Sequence, residues 1–464
     1  MRGRVQIMGG PLLSWNLVIF AAVVFIARAV LKNKRLGISW LEDLTFFDIP
    51  SEEEQQKVDA QLNPAFQKSK KKQKGQTTKF ASQVALEAPQ LTGPIISSLF
   101  SYGEWESQIW TAVAWGFGLA IAGVNVAFSL CQDPSDVSAT YWWLLLCGVG
   151  FFLVAFSMLS VLFRHSSDND YKVSIYLGIT WAPVGIVLAA LPGFIVEWDV
   201  KQVARSLAQL LPEATPMLHT PLPAFLTMII LASLAILLVY TPGVRWGRAY
   251  SRLNFAHVDP WTSRLDRLCL QLGMVLPMLN MLLFCTLLTP WSITSWWGRS
   301  IHAIIFLAEP LCRLRVLRPL VADHLKTGYT MTAAILSMQL EGRSAMISEK
   351  LATILATTCL QALRFFSLNV LLLFLWVVWM VSSLKLFASP ADYIQWSDTK
   401  MFPDDIAIFQ ILHSLSSFFA FALMASFVAM AVVGMMFETM ERNQIASRMK
   451  ESLASTDKKH KKKN

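Results

Sequence analysis

The residues best placed to do chemistry are Glu309 and Arg313, one helical turn apart in an apolar run, with Pro310 between them removing a backbone donor. A carboxylate near mid-bilayer is costly and needs an internal partner facing other helices or a water-filled cavity. Arg313 is the nearest candidate. Two readings stand beside each other: a structural salt bridge, or a carboxylate in a proton or ion path. Asn280 and Asn125, in other apolar runs, complete a candidate intramembrane polar cluster of Glu309, Arg313, Asn280 and Asn125; such asparagines more often join helices than bind ligands. Arg28 and Arg364 sit close enough to helix ends to reach the interface by snorkelling.

Enzyme chemistry is poorly supplied. The chain holds no GxxxxGK[ST], HExxH or GxSxG motif, and its seven histidines form no HxxH or HxxxH pair. Five of its six cysteines fall in or beside apolar runs and show neither zinc spacing nor a disulfide framework. No catalytic, cofactor or metal site is expected. Lys461 and Lys462, near the end of the chain, fit a cytosolic dilysine retrieval signal, although a polybasic tail attracted to anionic lipid accounts for them equally well.

The elements that must position these residues are membrane helices. Of 464 residues, 54% are hydrophobic and only 15% charged, against about 25% in soluble proteins. The apolar runs, roughly 20 residues each, match a hydrocarbon layer of ~30 Å. The expected fold is therefore all-α: a polytopic membrane protein with about nine transmembrane helices and amphipathic interfacial helices. A formal charge of +9 raises the question of nucleic acid, but the basic residues flank the apolar runs, where the positive-inside rule wants them. The expected partners are the lipid bilayer, anionic lipids at the basic loops and other membrane proteins, with no nucleic acid.

In order, residues 1–31 give the first span, taken as retained rather than cleaved, and 32–107 a basic, partly disordered cytosolic loop containing KSKKKQKGQTTK. Residues 108–437 give about eight more spans. Among these, Gln108 to Leu130 carries a small-residue face, and Tyr141 to Phe163 opens on interfacial aromatics. Val173 to Val196 contains Pro183 and Pro192, and Leu222 to Tyr240 ends at a Pro-Gly break. Cys269 to Pro290 follows, then the Glu309 span. The run from Leu351 to Leu386 would measure ~54 Å as one helix and must tilt or protrude, and Ile406 to Phe437 closes the bundle. Amphipathic links are expected near 197–211, 243–256 and 317–350. Residues 438–464 form a basic tail. Lysine and arginine concentrate on the side of the first loop and the tail, which predicts an external N-terminus and a cytosolic C-terminus. The endoplasmic reticulum or plasma membrane is the expected location.

Three stretches carry a family resemblance: FSYGEWESQIWTAVAWGFGLAIAGVNVAF; TPGVRWGRAYSRL with LCLQLGMVLPMLNMLLFCTLLTPW; and CRLRVLRPLVADHL through LQALRFFSLNVLLLF. From about Leu99 to Leu386 the layout resembles the transmembrane protein 161 family of eukaryotic multi-pass proteins. The resemblance implies a polytopic protein linked to regulation of membrane excitability and signalling, with no assigned reaction. The lysine-rich tail is longer than that family usually has, and no N-x-[ST] site lies outside the membrane. The expected function is thus a non-enzymatic membrane protein regulating or scaffolding partner membrane proteins; the alternative is a transporter or channel built around Glu309 and Arg313.

Overall fold

A computed structural model describes residues 15–34, 168–210, 220–255, 263–290, 295–321, 368–384 and 404–461, with isolated positions at 114, 118, 146, 149 and 386. All regular structure among the described residues is helical. The helices are α1 (Trp15–Lys34), α2 (Asp168–Ala190), α3 (Val200–Leu210), α4 (Leu222–Phe255), α5 (Arg264–Phe284), α6 (Trp296–Arg315), α7 (Leu368–Leu384) and α8 (Asp404–Lys461). Four segments, Lys172–Ala190, Leu222–Arg252, Arg264–Phe284 and Ala407–Met440, are long and apolar enough to cross a membrane. The spans expected at 108–130 and 141–163, with Asn125, lie outside the described residues apart from the isolated positions 114, 118, 146 and 149. So do residues 35–107, Arg364 and the link beyond Val321.

Helix α8 is the central post. Helix α4 packs along it, α2 packs on α4, α3 packs on α8, and the α5–α6 pair joins through α5. The α4–α8 contact is backbone on backbone: a Cβ on Gly247 would fall 1.9 Å from the Ala431 carbonyl oxygen, and one on Gly434 2.1 Å from that of Val244. Gly243 and Gly247 form a GxxxG face, the device by which membrane helices approach closely when no hydrophobic drive exists between them. Arg252 closes the far end of this contact on Glu438 at 3.0 Å.

This contact corrects the expected break after Tyr240. Helix α4 runs through Pro242 to Phe255, so 243–256 begins as the continuation of a helix and not as a separate amphipathic link. Proline costs one backbone donor, a loss that membrane helices tolerate when neighbours support the freed carbonyl. Here the tight seam on α8 supports the helix on both sides of the proline.

Other boundaries also moved. Helix α2 accommodates Pro183 but stops at Ala190, leaving Pro192 in the turn that follows. Helix α5 begins with a reciprocal capping box, in which the Asp266 backbone N–H donates to Ser263 Oγ (3.1 Å) and the Ser263 N–H to Asp266 Oδ2 (3.2 Å). It ends at Phe284, short of Pro290. Helix α3 forms where an amphipathic link was expected and turns its apolar face to α8: Val200 and Val203 are buried, and Ser206 Oγ donates to Gln410 Oε1 at 3.1 Å.

Candidate functional site

Glu309 and Arg313 lie on the buried face of α6, and the Arg313 guanidinium donates to the Glu309 carboxylate. From α5, Asn280 Nδ2 donates to the other carboxylate oxygen at 2.7 Å. Arg313 also stacks over the Phe427 ring of α8, 3.5 Å from its centroid. Glu309 has no exposed surface, and Arg313 is 2% exposed. Three of the four residues expected to cluster therefore meet; Asn125 lies outside the described residues. Lys461 is the last residue of α8, and Lys462 is also outside them.

The local reasons are simple. The i, i+4 spacing places acid and base on one face, and α5 packs on that face through Asn280, with Phe284 against Phe306 and His302 a turn further on. The charges then compensate each other in a dry environment, where either one alone would be severely penalised. The arrangement is a closed ion pair with an amide brace.

A second buried polar cluster had no forecast. Glu197, in the turn between α2 and α3, pairs with Arg299 in the first turn of α6. Trp379 of α7 donates its indole N–H to Glu197 Oε2 at 3.3 Å, and His413 Nε2 of α8 lies 3.5 Å from Oε1. His413 Nδ1 meets Ser383 Oγ at 3.2 Å. The Arg299 guanidinium lies over the Trp379 ring at 5.6 Å, and His302 sits between Phe284 (4.6 Å) and Trp379 (4.5 Å). The turn bearing Glu197 is itself pinned to the end of α5: its N–H donates to the Phe284 carbonyl (3.1 Å), and Thr286 Oγ1 donates to the Phe194 carbonyl (2.8 Å).

Sequence reasoning passed over this cluster because Arg299 stands in TPWSITSWWGRS, whose tryptophans read as an interfacial turn between two spans. The structure instead starts α6 at Trp296, capped by Ser295, whose Oγ accepts from the Gly298 N–H at 3.2 Å. One signal was available: Arg299, His302, Phe306, Glu309 and Arg313 recur at intervals of three and four, and all are buried on one stripe of α6. Their partners come from α5, α7, α8 and the turn before α3, whose sequence separations exceed any local pattern.

Helix α7 runs antiparallel to α6, with Trp376 Nε1 donating to the Ala303 carbonyl at 2.8 Å. Between the two helices lies a cleft of about 320 Å³. Among the described residues no group of His, Cys, Asp and Glu could hold a metal ion. Both clusters are thus buried ion pairs joined by the stripe of α6, the first fully enclosed and the second beside the cleft. No family model, curated protein or solved structure matches the chain.

Proposed function

We propose that this is a non-enzymatic, multi-pass membrane protein of about nine spans that regulates or scaffolds partner membrane proteins. The observation that carries the reading is Glu309, which has no exposed surface and is satisfied from both sides by Arg313 and Asn280. A transport carboxylate must meet water or substrate during its cycle; one held by two internal donors serves the bundle. The resemblance to the transmembrane protein 161 family points the same way, toward regulation of excitability or signalling. In this reading the N-terminus is external and the C-terminus cytosolic, in the endoplasmic reticulum or plasma membrane. Arg343 and Lys350, in the cytosolic link, form a contact surface for the partner, while the basic loop and tail meet anionic lipid.

A second reading, a transporter or channel, draws on the stripe of Arg299, His302, Glu309 and Arg313 along α6, since buried ionisable chains also mark ion and proton paths. Flux measurements on the purified protein in liposomes separate the two. Wild type and Glu309→Gln should both match empty liposomes for ions and small solutes. Flux in the wild type that disappears in the variant would make the protein a transporter. In cells, reversing the charges of Arg343 and Lys350 should deplete cross-linked membrane partners; identical partner lists would remove that surface from the proposal.

A further inference from the structure

Cys269 of α5 and Cys312 of α6 face each other where the two helices pack, close enough for their thiols to hydrogen-bond. Polar contacts bracket them. Asp266 Oδ1 and Arg315 Nε meet at 3.1 Å on one side, and Asn280 Nδ2 donates to Glu309 Oε2 at 2.7 Å on the other. The register that brings the sulfurs together is therefore held on both sides, and no cysteine spacing in the sequence shows it. Cys285, the other free cysteine among the described residues, caps the opposite end of α5, about 24 Å along at 1.5 Å per residue.

Cys269 is buried and Cys312 half-buried. Arg315, one turn beyond Cys312, has a side chain 57% exposed, so the more open thiol stands within a turn of the solvated end of α6. From hydrogen-bond contact the sulfurs need approach only about 2 Å further to reach the disulfide length of about 2.05 Å, a movement within the reach of side-chain rotation. The orientation proposed above puts this end in the cytosol, where thiols are kept reduced and disulfides are transient.

We propose that Cys269 and Cys312 are a modification site: a small hydroperoxide converts them to a reversible disulfide that straps α5 to α6 beside the Glu309–Arg313 pair. The reversibility rests on the orientation in the functional reading, and the pairing rests on the geometry alone. The Cys312 thiolate attacks one oxygen of hydrogen peroxide, the O–O bond breaks, and the leaving hydroxide takes up the proton shed by the thiol to become water. The Cys269 sulfur then attacks the sulfenic sulfur; the S–S bond forms, the S–O bond breaks, and a second water leaves with the Cys269 proton. The thiols give up two electrons and two protons, and the peroxide becomes two waters. Two molecules of glutathione reverse the bond by exchange and are oxidised to their own disulfide.

The test is peptide mapping, without reduction, of the folded full-length protein in detergent after hydrogen peroxide and a maleimide quench. The peptides bearing Cys269 and Cys312 should be joined, two hydrogens lighter than their sum, at least about five-fold more than in untreated protein, and glutathione should release them. Cys285→Ser should link to the same extent. Cys269→Ser should leave Cys312 as a sulfenic acid, raising its labelling by dimedone at least about five-fold over wild type. Thiols that stay free in the treated wild type, or links that run to other cysteines instead, overturn the pairing and leave the orientation untouched. In unstressed cells quenched with maleimide the pair should be reduced. A bond already complete there overturns the reversible switch, and the orientation with it.

Discussion

Each charge in the two buried clusters is tolerated only because its partner is present, and this governs what substitution will do. Arg313→Leu strands the Glu309 carboxylate in a dry site and should cost about 3–5 kcal/mol, read as a large drop in the thermal midpoint of the detergent-solubilised protein. The double variant Glu309→Leu/Arg313→Leu removes both charges and should recover most of that loss, because an apolar pair of similar volume is often as stable as the ion pair. A double variant no better than the single one would show that the pair is not the unit that matters. At the second cluster, Trp379→Phe keeps a ring beside His302 but removes the N–H that Glu197 Oε2 accepts. Hydrogen bonds to charged groups are worth about 1.5–3 kcal/mol, and a loss of that order should appear in the same measurement. No change would mean that Arg299 and His413 suffice to hold Glu197.

Between helices, the decisive contact is the seam of α4 and α8. Gly247 has Ala431 backbone where a Cβ would go, so Gly247→Ala must push two helices apart and should cost about 1–3 kcal/mol or more. Gly178 of α2 offers the contrast. Its nearest neighbours are the atoms of the Leu237 side chain at 3.1 to 3.4 Å, which can yield. There, alanine's helix propensity, worth up to about 1 kcal/mol over glycine, offsets the crowding, and Gly178→Ala should be near neutral. Equal losses at both positions would deny the seam its special role. The same seam explains why Pro242 ends no helix: the ladder loses one donor there, and packing on α8 supports the turns on either side.

At the scale of the whole molecule, α8 contains 58 residues, or ~87 Å at 1.5 Å per residue, nearly three times a hydrocarbon layer of ~30 Å. Its apolar part ends at Met440, so the remainder must project beyond the bilayer. The topology proposed above places that projection in the cytosol and the α5–α6 connection outside. A cysteine introduced at Ser292 should react with impermeant maleimide applied externally if the protein reaches the cell surface, or from the lumenal side of oriented microsomes. A cysteine at Ser455 should react only from the cytosolic side. Reaction of both from one side would remove a span from the scheme.

The amino-acid sequence by itself determined the helical class, the apolar segments and the meeting of Glu309 with Arg313, because each depends on composition or on the 3.6-residue period alone. It also singled out Asn280, since an amide in an apolar helix must find a partner. Only the tertiary structure decided the rest. TPGVRWG contains both a helix-breaking signal and a GxxxG face, and which one prevails depends on whether another helix is there to receive the glycines. Helix α8, almost two hundred residues downstream, receives them. The Glu197–Arg299–His413–Trp379 cluster is assembled from four elements far apart in the chain, and the local spacing marks only Arg299 on its α6 stripe, not the partners that complete it. A buried charge reveals itself in sequence when its partner is one turn away; when the partner lies across the bundle, folding alone brings the two together.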